Sequence, residues 1–234
     1  MFKRILTSPF VIAALCVLSV GLIGFGGVRG IQAAPRIQSA DYRAEVELTN
    51  IETALLENHE VAEGEDDLLG MDRFRSKYGI KENGDGFEIG RSYDWELAAR
   101  NVGNIDEFVR VTVYRYWTNG EGKRVDLDPS LIDLHFVEGN GWTIDKNAST
   151  PERTVLYYTN PKGGDGSIAP NEDTTPFVDK LTISGKTVTA VTKLADGDFK
   201  YEGIQFKVKA TVDAVQTHNA TDAMNSAWGR TNVG

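Results

Sequence analysis

Apolar residues in this chain of 234 residues recur at every second position far more often than at every third or fourth. Ile204, Phe206, Val208, Ala210 and Val212 interleave with Gln205, Lys207, Lys209, Thr211 and Asp213. Successive side chains of an extended backbone point to opposite faces, so this pattern buries one set and leaves the other in water. Tyr93, Trp95, Leu97 and Ala99 repeat it, and after Asn101-Val102-Gly103-Asn104 the segment Phe108 to Trp117 resumes with Val109, Val111 and Val113. The turn-forming residues between these two segments predict an antiparallel hairpin. Further strands are predicted at Ile132 to Val137, Thr154 to Tyr158, Phe177 to Ile183 and Thr187 to Thr192, separated by Asn-Gly, Gly-Asn-Gly, Gly-Gly-Asp-Gly and Asp-Gly clusters. Short strands with frequent turns predict an all-β chain, a jelly-roll-like antiparallel β-sandwich.

Two segments depart from the pattern. From Glu63-Gly64-Glu65-Asp66-Asp67 to Gly86 the chain is acidic and glycine-rich, which predicts a long surface excursion with a helical turn near Leu68 to Tyr78. At the C-terminal end, Asn219 is placed to cap a short helix through its side-chain oxygen, Asp222 suits the first turn, Met224 and Trp228 share a face, and Gly229 stops the helix. The helix is expected to plug one end of the sandwich.

The first residues carry a different signal. Lys3 and Arg4 precede an apolar run from Phe10 to Phe25, no acid occurs before Asp41, and small residues follow at Gly30, Ala33 and Ala34. That order predicts a secretory signal peptide over residues 1–33, cut between Ala33 and Ala34, with residues 34–234 forming one β-sandwich domain in a secreted protein. An uncleaved leader would be the one contact with the membrane, since Phe10 to Val28 is nearly long enough to span it. The single cysteine, Cys16, lies in the leader, so the exported chain needs a hydrophobic core and no disulfides. The leader also carries Lys3, Arg4 and Arg29 and no acid, so its loss takes the net charge from −9 to −12. An acidic surface repels phosphate backbones, which argues against nucleic acid as a partner.

Residues with catalytic spacing are scarce. His59, His135 and His218 form no paired zinc motif, no Gly-x-Ser-x-Gly or Ser-x-x-Lys occurs, and Gly84-Asp85-Gly86 lacks the third glycine of a nucleotide loop. The chain is therefore read as a non-enzyme without a cofactor. Asp126-Leu127-Asp128 and Asn171-Glu172-Asp173 could offer oxygens to calcium, but neither has EF-hand spacing. A hydrolase would have to assemble its site from distant groups such as Asp126, Asp128 and His135. A binding module would instead line one face with aromatics, drawn from Tyr114, Tyr116, Trp117, Tyr157 and Tyr158.

The run Tyr93 to Tyr116, YDWELAARNVGNIDEFVRVTVYRY, resembles a passage of the TasA/camelysin family of Gram-positive secreted proteins, where a strand ends in an Asn-x-Gly turn and re-enters as Val-Arg-Val. The apolar leader followed by ADYRAEVELTN, the run Pro170 to Ile183 and the final strand running into AVQTHNATDAMNSAWG are similar to that family as well. The resemblance implies a jelly-roll sandwich, export through a SipW-type signal peptidase and a place on the cell surface or in a biofilm matrix. Some members build fibres in which the N-terminal strand of one subunit completes a sheet of the next. The metalloprotease activity ascribed to camelysin-like members is not carried over, because no zinc motif is present.

Fibre building also has a basis in the residues. Tyr42, Ala44, Val46 and Leu48 alternate with Arg43, Glu45 and Glu47 shortly after the expected cut, the pattern of a terminal strand that could pair in its own sheet or in a neighbour's. The leading expectation is thus a secreted structural protein that self-associates or joins other matrix proteins, with a glycan- or protein-binding module as the alternative.

Overall fold

The computed structural model describes residues 50–62, 72–81, 84–119, 122–160, 165–188 and 204–233, all within a compact unit spanning Leu48–Gly234. The leader, Ala33, Ala34 and the candidate donor residues Tyr42, Ala44, Val46 and Leu48 lie outside the described residues. Ten strands are described: β1 (Thr53–Glu57), β2 (Glu60–Val61), β3 (Ser92–Asn101), β4 (Glu107–Asn119), β5 (Gly122–Arg124), β6 (Ile132–Phe136), β7 (Trp142–Ile144), β8 (Arg153–Tyr158), β9 (Val178–Ile183) and β10 (Gln205–Gln216). Two helices, α1 (Asp72–Tyr78) and α2 (Ala220–Trp228), accompany them. The strands form two antiparallel sheets, β2-β1-β3-β9-β6 and β10-β4-β8-β7, with β5 folded back on the end of β4.

Alternation decides which side of each sheet is dry. Tyr93, Trp95, Leu97 and Ala99 of β3, Leu134 of β6 and Leu181 of β9 face Val109, Val111 and Val113 of β4, Leu156 of β8 and Val208 of β10 in one buried cluster. Burying each of the larger side chains is worth roughly 1.5–3 kcal/mol, and this layer holds the sandwich shut. Helix α1 adds Phe74 at its margin, with ring centroids 5.5 Å from Tyr93 and 5.9 Å from Trp95. Tyr78 at the end of the helix meets the Tyr93 ring at 5.0 Å and donates to Asp94 O, so two aromatic side chains pin the excursion where it turns helical.

β3 pairs with β9 in one sheet while its successor β4 pairs with β10 in the other. β6 then joins β9, and β8 joins β4. β1 packs near β10 and pairs with β3.

The expected hairpin between Tyr93–Ala99 and Phe108–Trp117 is overturned. β3 and β4 belong to different sheets and residues 102–106 arch between them. A hairpin would set the rows of Trp95 and Val111 side by side on one surface, whereas the arch stacks them face to face and dries both. The strand expected at Thr187 to Thr192 is also corrected. Residues 186–188 are helical, closed by Thr187 N–H donating to Ser184 O at 2.9 Å, and residues 189–203 lie outside the described set.

Helix α2 sits elsewhere than expected. It does not plug an end: Met224 and Trp228 pack with Phe108, Val155, Tyr157 and Val215, which lie on the outer face of the β10-β4-β8 sheet. Nor does the Asn219 side chain cap it. Asn219 takes a left-handed conformation (φ 52°) and makes no side-chain cap bond; its carbonyl accepts from Ala223 N–H at 3.0 Å. Gly229 ends the helix as expected, left-handed at φ 68° with its N–H on Asn225 O.

Candidate functional site

The β3–β4 arch is stitched to the chain entering β1. Val102 and Gly103 N–H both donate to Glu52 O, Asn104 N–H donates to Asn50 O, and Asn50 N–H donates to Asn104 Oδ1 at 2.6 Å. Gly103 is required by proximity, since a Cβ there would stand 2.3 Å from Asn50 O and 3.0 Å from Glu52 N. Asn101, wholly buried on the core-facing row of β3, accepts from Gly103 N–H and donates to Ile105 O and Ile168 O. The segment that follows the candidate donor strand is thus fixed by backbone bonds to an arch that is itself locked by one amide.

Glu107 stands at the other foot of that arch. It shares the inward row of β4 with Val109, Val111 and Val113, is fully buried, and neither carboxyl oxygen has a hydrogen-bond partner of normal geometry. Burial pushes its pKa up to about 7, and the nearby Glu52 peptide N–H offsets part of that shift. Sequence reading missed this residue, although the signal was present: extending the Val113-Val111-Val109 alternation by one step lands on Glu107.

Among the described residues β10 ends its sheet, and it runs for twelve residues against β4. β1, the first described strand, pairs with β3 in the other sheet. The outer face of the same sheet divides in two. One half, Phe108, Val155, Tyr157 and Val215, is apolar and covered by α2. Arg110 marks the border, paired to Asp213 at 2.8 Å and lying under the Trp228 ring at 5.5 Å. Beyond it, cross-strand register sets Lys209 beside Tyr114 and Lys207 beside Tyr116.

The residues singled out from sequence are not brought together into a chemical site. Asp126 pairs with Arg124, and that hydrogen bond holds its carboxyl below the usual range. Asp128 caps the 3-10 turn Pro129–Leu131 by accepting from Ser130 N–H at 2.8 Å, which lowers its pKa. His135 faces Asp179 at 2.6 Å across the β6–β9 pair. In the second acidic run, Glu172 accepts from Ala169 N–H and Asp173 pairs with Arg100 at 2.5 Å. Among the described residues no group of three or more His, Cys, Asp or Glu is arranged to hold a metal ion. Of the aromatics that a binding module would line up on one face, three are buried. Trp117 and Tyr158 are buried, Trp117 with its indole N–H on Asp128 O and Tyr158 against Trp142, because both fall on inward rows. Tyr157 is buried beneath Trp228.

Fold and surface together define a class: an antiparallel β-sandwich of two sheets, with a short C-terminal helix covering part of one outer face. No family model matches the chain. No curated protein matches it either. Among solved structures, a chain from the crystal of the CaDoc0917–CaCohA2 complex at pH 5.5 overlaps 44% of this chain and 69% of its own length, at 12% identity and a TM-score of 0.26. So loose an overlap carries no argument about fold or function.

Proposed function

We propose that this protein is an exported structural subunit of the TasA/camelysin type, a component of a cell surface or extracellular matrix with no catalytic role. In this reading the leader is removed between Ala33 and Ala34, and the alternating segment Tyr42, Ala44, Val46 and Leu48 then adds as a strand at the β10 edge, in its own sandwich or in a neighbour's. The observation that carries it is the place of β10, a twelve-residue strand that, among the described residues, ends its sheet. Exchange of that strand between subunits gives a head-to-tail contact that does not close on itself, hence a fibre. The stitching of Asn50 and Glu52 to the arch supports this reading, because it gives an exchanging strand a fixed point from which to leave.

Negative-stain microscopy of the secreted, mature chain tests it. Filaments are expected, and a chain beginning after Leu48 should remain folded by circular dichroism yet form none. A mature chain that stays monomeric at high concentration over long incubation, or a truncated chain that still polymerises, would refute the reading.

A further inference from the structure

We infer that the open half of the outer β10-β4-β8 face is a binding surface for an anionic polysaccharide of uronate sugars. The inference goes beyond the structural role proposed above and does not depend on fibre formation. Tyr114 and Tyr116 stand two positions apart on β4, both half-buried, so their rings form a column spaced by about 7 Å. Cations flank that column on both sides. Register places Lys209 and Arg153 on either side of Tyr114, from β10 and β8, and Lys207 on the β10 side of Tyr116; the Arg153 guanidinium also donates to Ala148 O through Nε and Nη2. On the opposite side the Lys123 ammonium of β5 lies 5.7 Å from the Tyr116 ring centre, its charge shared with Glu152. Four cations around two rings stand out in a chain whose net charge is −9.

The pattern selects one ligand chemistry. Aromatic rings set low in a flat sheet offer a face to the C–H surface of a sugar, and ammonium and guanidinium groups offer donors to carboxylates. A β-1,4-linked uronate chain has a near-twofold turn, so its carboxylates project alternately to the two sides of its axis, and here cations lie on both sides of the tyrosines. A single nucleic-acid strand sends phosphates to one side and bases to the other, which would call for cations along one flank only. The covered half of the same face makes the contrast: where α2 packs, the outward residues are Phe108, Val155, Tyr157 and Val215, and where they turn to tyrosine and lysine no described element lies over them.

The test is titration of the full mature chain with short oligomannuronate, read by calorimetry, with dextran and oligothymidylate as comparison ligands. Oligomannuronate should bind, more weakly as salt rises, and dextran should not. Lys123→Glu combined with Lys207→Glu, and separately Tyr116→Ala, should each weaken binding by about tenfold or more. Lys146→Glu, the same kind of substitution on an exposed residue after β7, should leave binding unchanged. Thermal melts confirm that each variant is folded, and Tyr116→Phe, which keeps the ring, should bind as wild type does. No binding of oligomannuronate, equal binding of dextran, tighter binding of oligothymidylate, or full binding by the folded Lys123/Lys207 variant would each overturn the inference.

Discussion

Asn101 and Glu107 stand at the two feet of the arch between the sheets, both fully buried, and only Asn101 has its polar atoms hydrogen-bonded. An amide with two donors and an acceptor can be completed by three backbone groups, which is what Gly103, Ile105 and Ile168 provide. A carboxyl on the same inward layer can escape the cost of burial by keeping its proton.

That difference makes stability depend on pH. The Glu107 pKa is about 7 in the folded state against an ordinary 4.5, so between these values the folded chain holds a proton that the unfolded chain has lost. Stability must then fall as pH rises through this window, and above it the residue costs on the order of 3 kcal/mol. Glu107→Gln, which cannot ionise, should remove this slope. Urea melts at pH 5 and pH 8 should show the wild type losing midpoint as pH rises while the variant loses much less. Parallel slopes in the two proteins would mean that Glu107 is not the group responsible.

Gly103→Ala tests the stitching of the entering chain. The added methyl would stand 2.3 Å from Asn50 O, so either residues 50–52 or the arch must move. Overpacking of this kind typically costs about 1–3 kcal/mol. The local signature is more telling than the total. Hydrogen exchange at Val102, Gly103 and Asn104, whose amides bond to Glu52 and Asn50, should accelerate, while amides in the centre of β4 keep their protection.

Most of the sandwich was legible because its strands alternate cleanly. Tyr93 to Ala99, Phe108 to Trp117 and Ile204 to Val212 carry their inward rows in plain view; the first two are strands with that row buried, and the third is a strand from Gln205 with Val208 and Ala210 buried and Phe206 and Val212 packed against the core. Pairing was less legible, because alternation tells which side of a strand is dry and not which strand lies beside it. Asn101-Val102-Gly103-Asn104 has hairpin composition, yet the Asn101 side chain bonds the arch backbone and sends the chain to the other sheet. The site suffered the same ambiguity. Trp117 and Tyr158 look like binding residues by type and are core by parity, whereas Tyr114 and Tyr116 have the opposite parity and lie outward. Glu107 was hidden because a charged residue at the start of a strand is usually solvated, and here parity prevailed over polarity.

A second buried carboxyl behaves differently. The Trp95 indole N–H donates to Glu57 Oε1 at 2.6 Å, tying β3 to β1 inside the protein, with both side chains almost completely buried. Trp95→Phe would remove the donor and leave a carboxyl oxygen without its partner, in addition to shrinking a core ring. A loss of about 2–4 kcal/mol is expected by urea denaturation. Glu57→Gln keeps an acceptor on the same atom position and should cost appreciably less. If the two variants proved equally damaging, the hydrogen bond would not be the main contribution of the pair.

The covering of the outer sheet face by α2 gives the last prediction. Trp228 is partly exposed, but its ring meets Tyr157 edge-on at 5.5 Å and lies over the Arg110 guanidinium at 5.5 Å, while Met224 on the same side is buried against the sheet. Trp228→Ala removes an aromatic contact and a cation–π contact at the rim, each worth about 0.5–1.5 kcal/mol. Met224→Ala opens a hole beneath the helix, where about 2–5 kcal/mol is the usual cost. The loss at Met224 should therefore equal or exceed that at Trp228, although its side chain is the smaller one. Because this cluster is separate from the core between the sheets, both variants should loosen the helix before the sandwich. Hydrogen exchange should show faster exchange in residues 220–228 with β3 and β9 still protected. Uniform loss of protection across both sheets would show instead that the helix and the sandwich unfold as one unit.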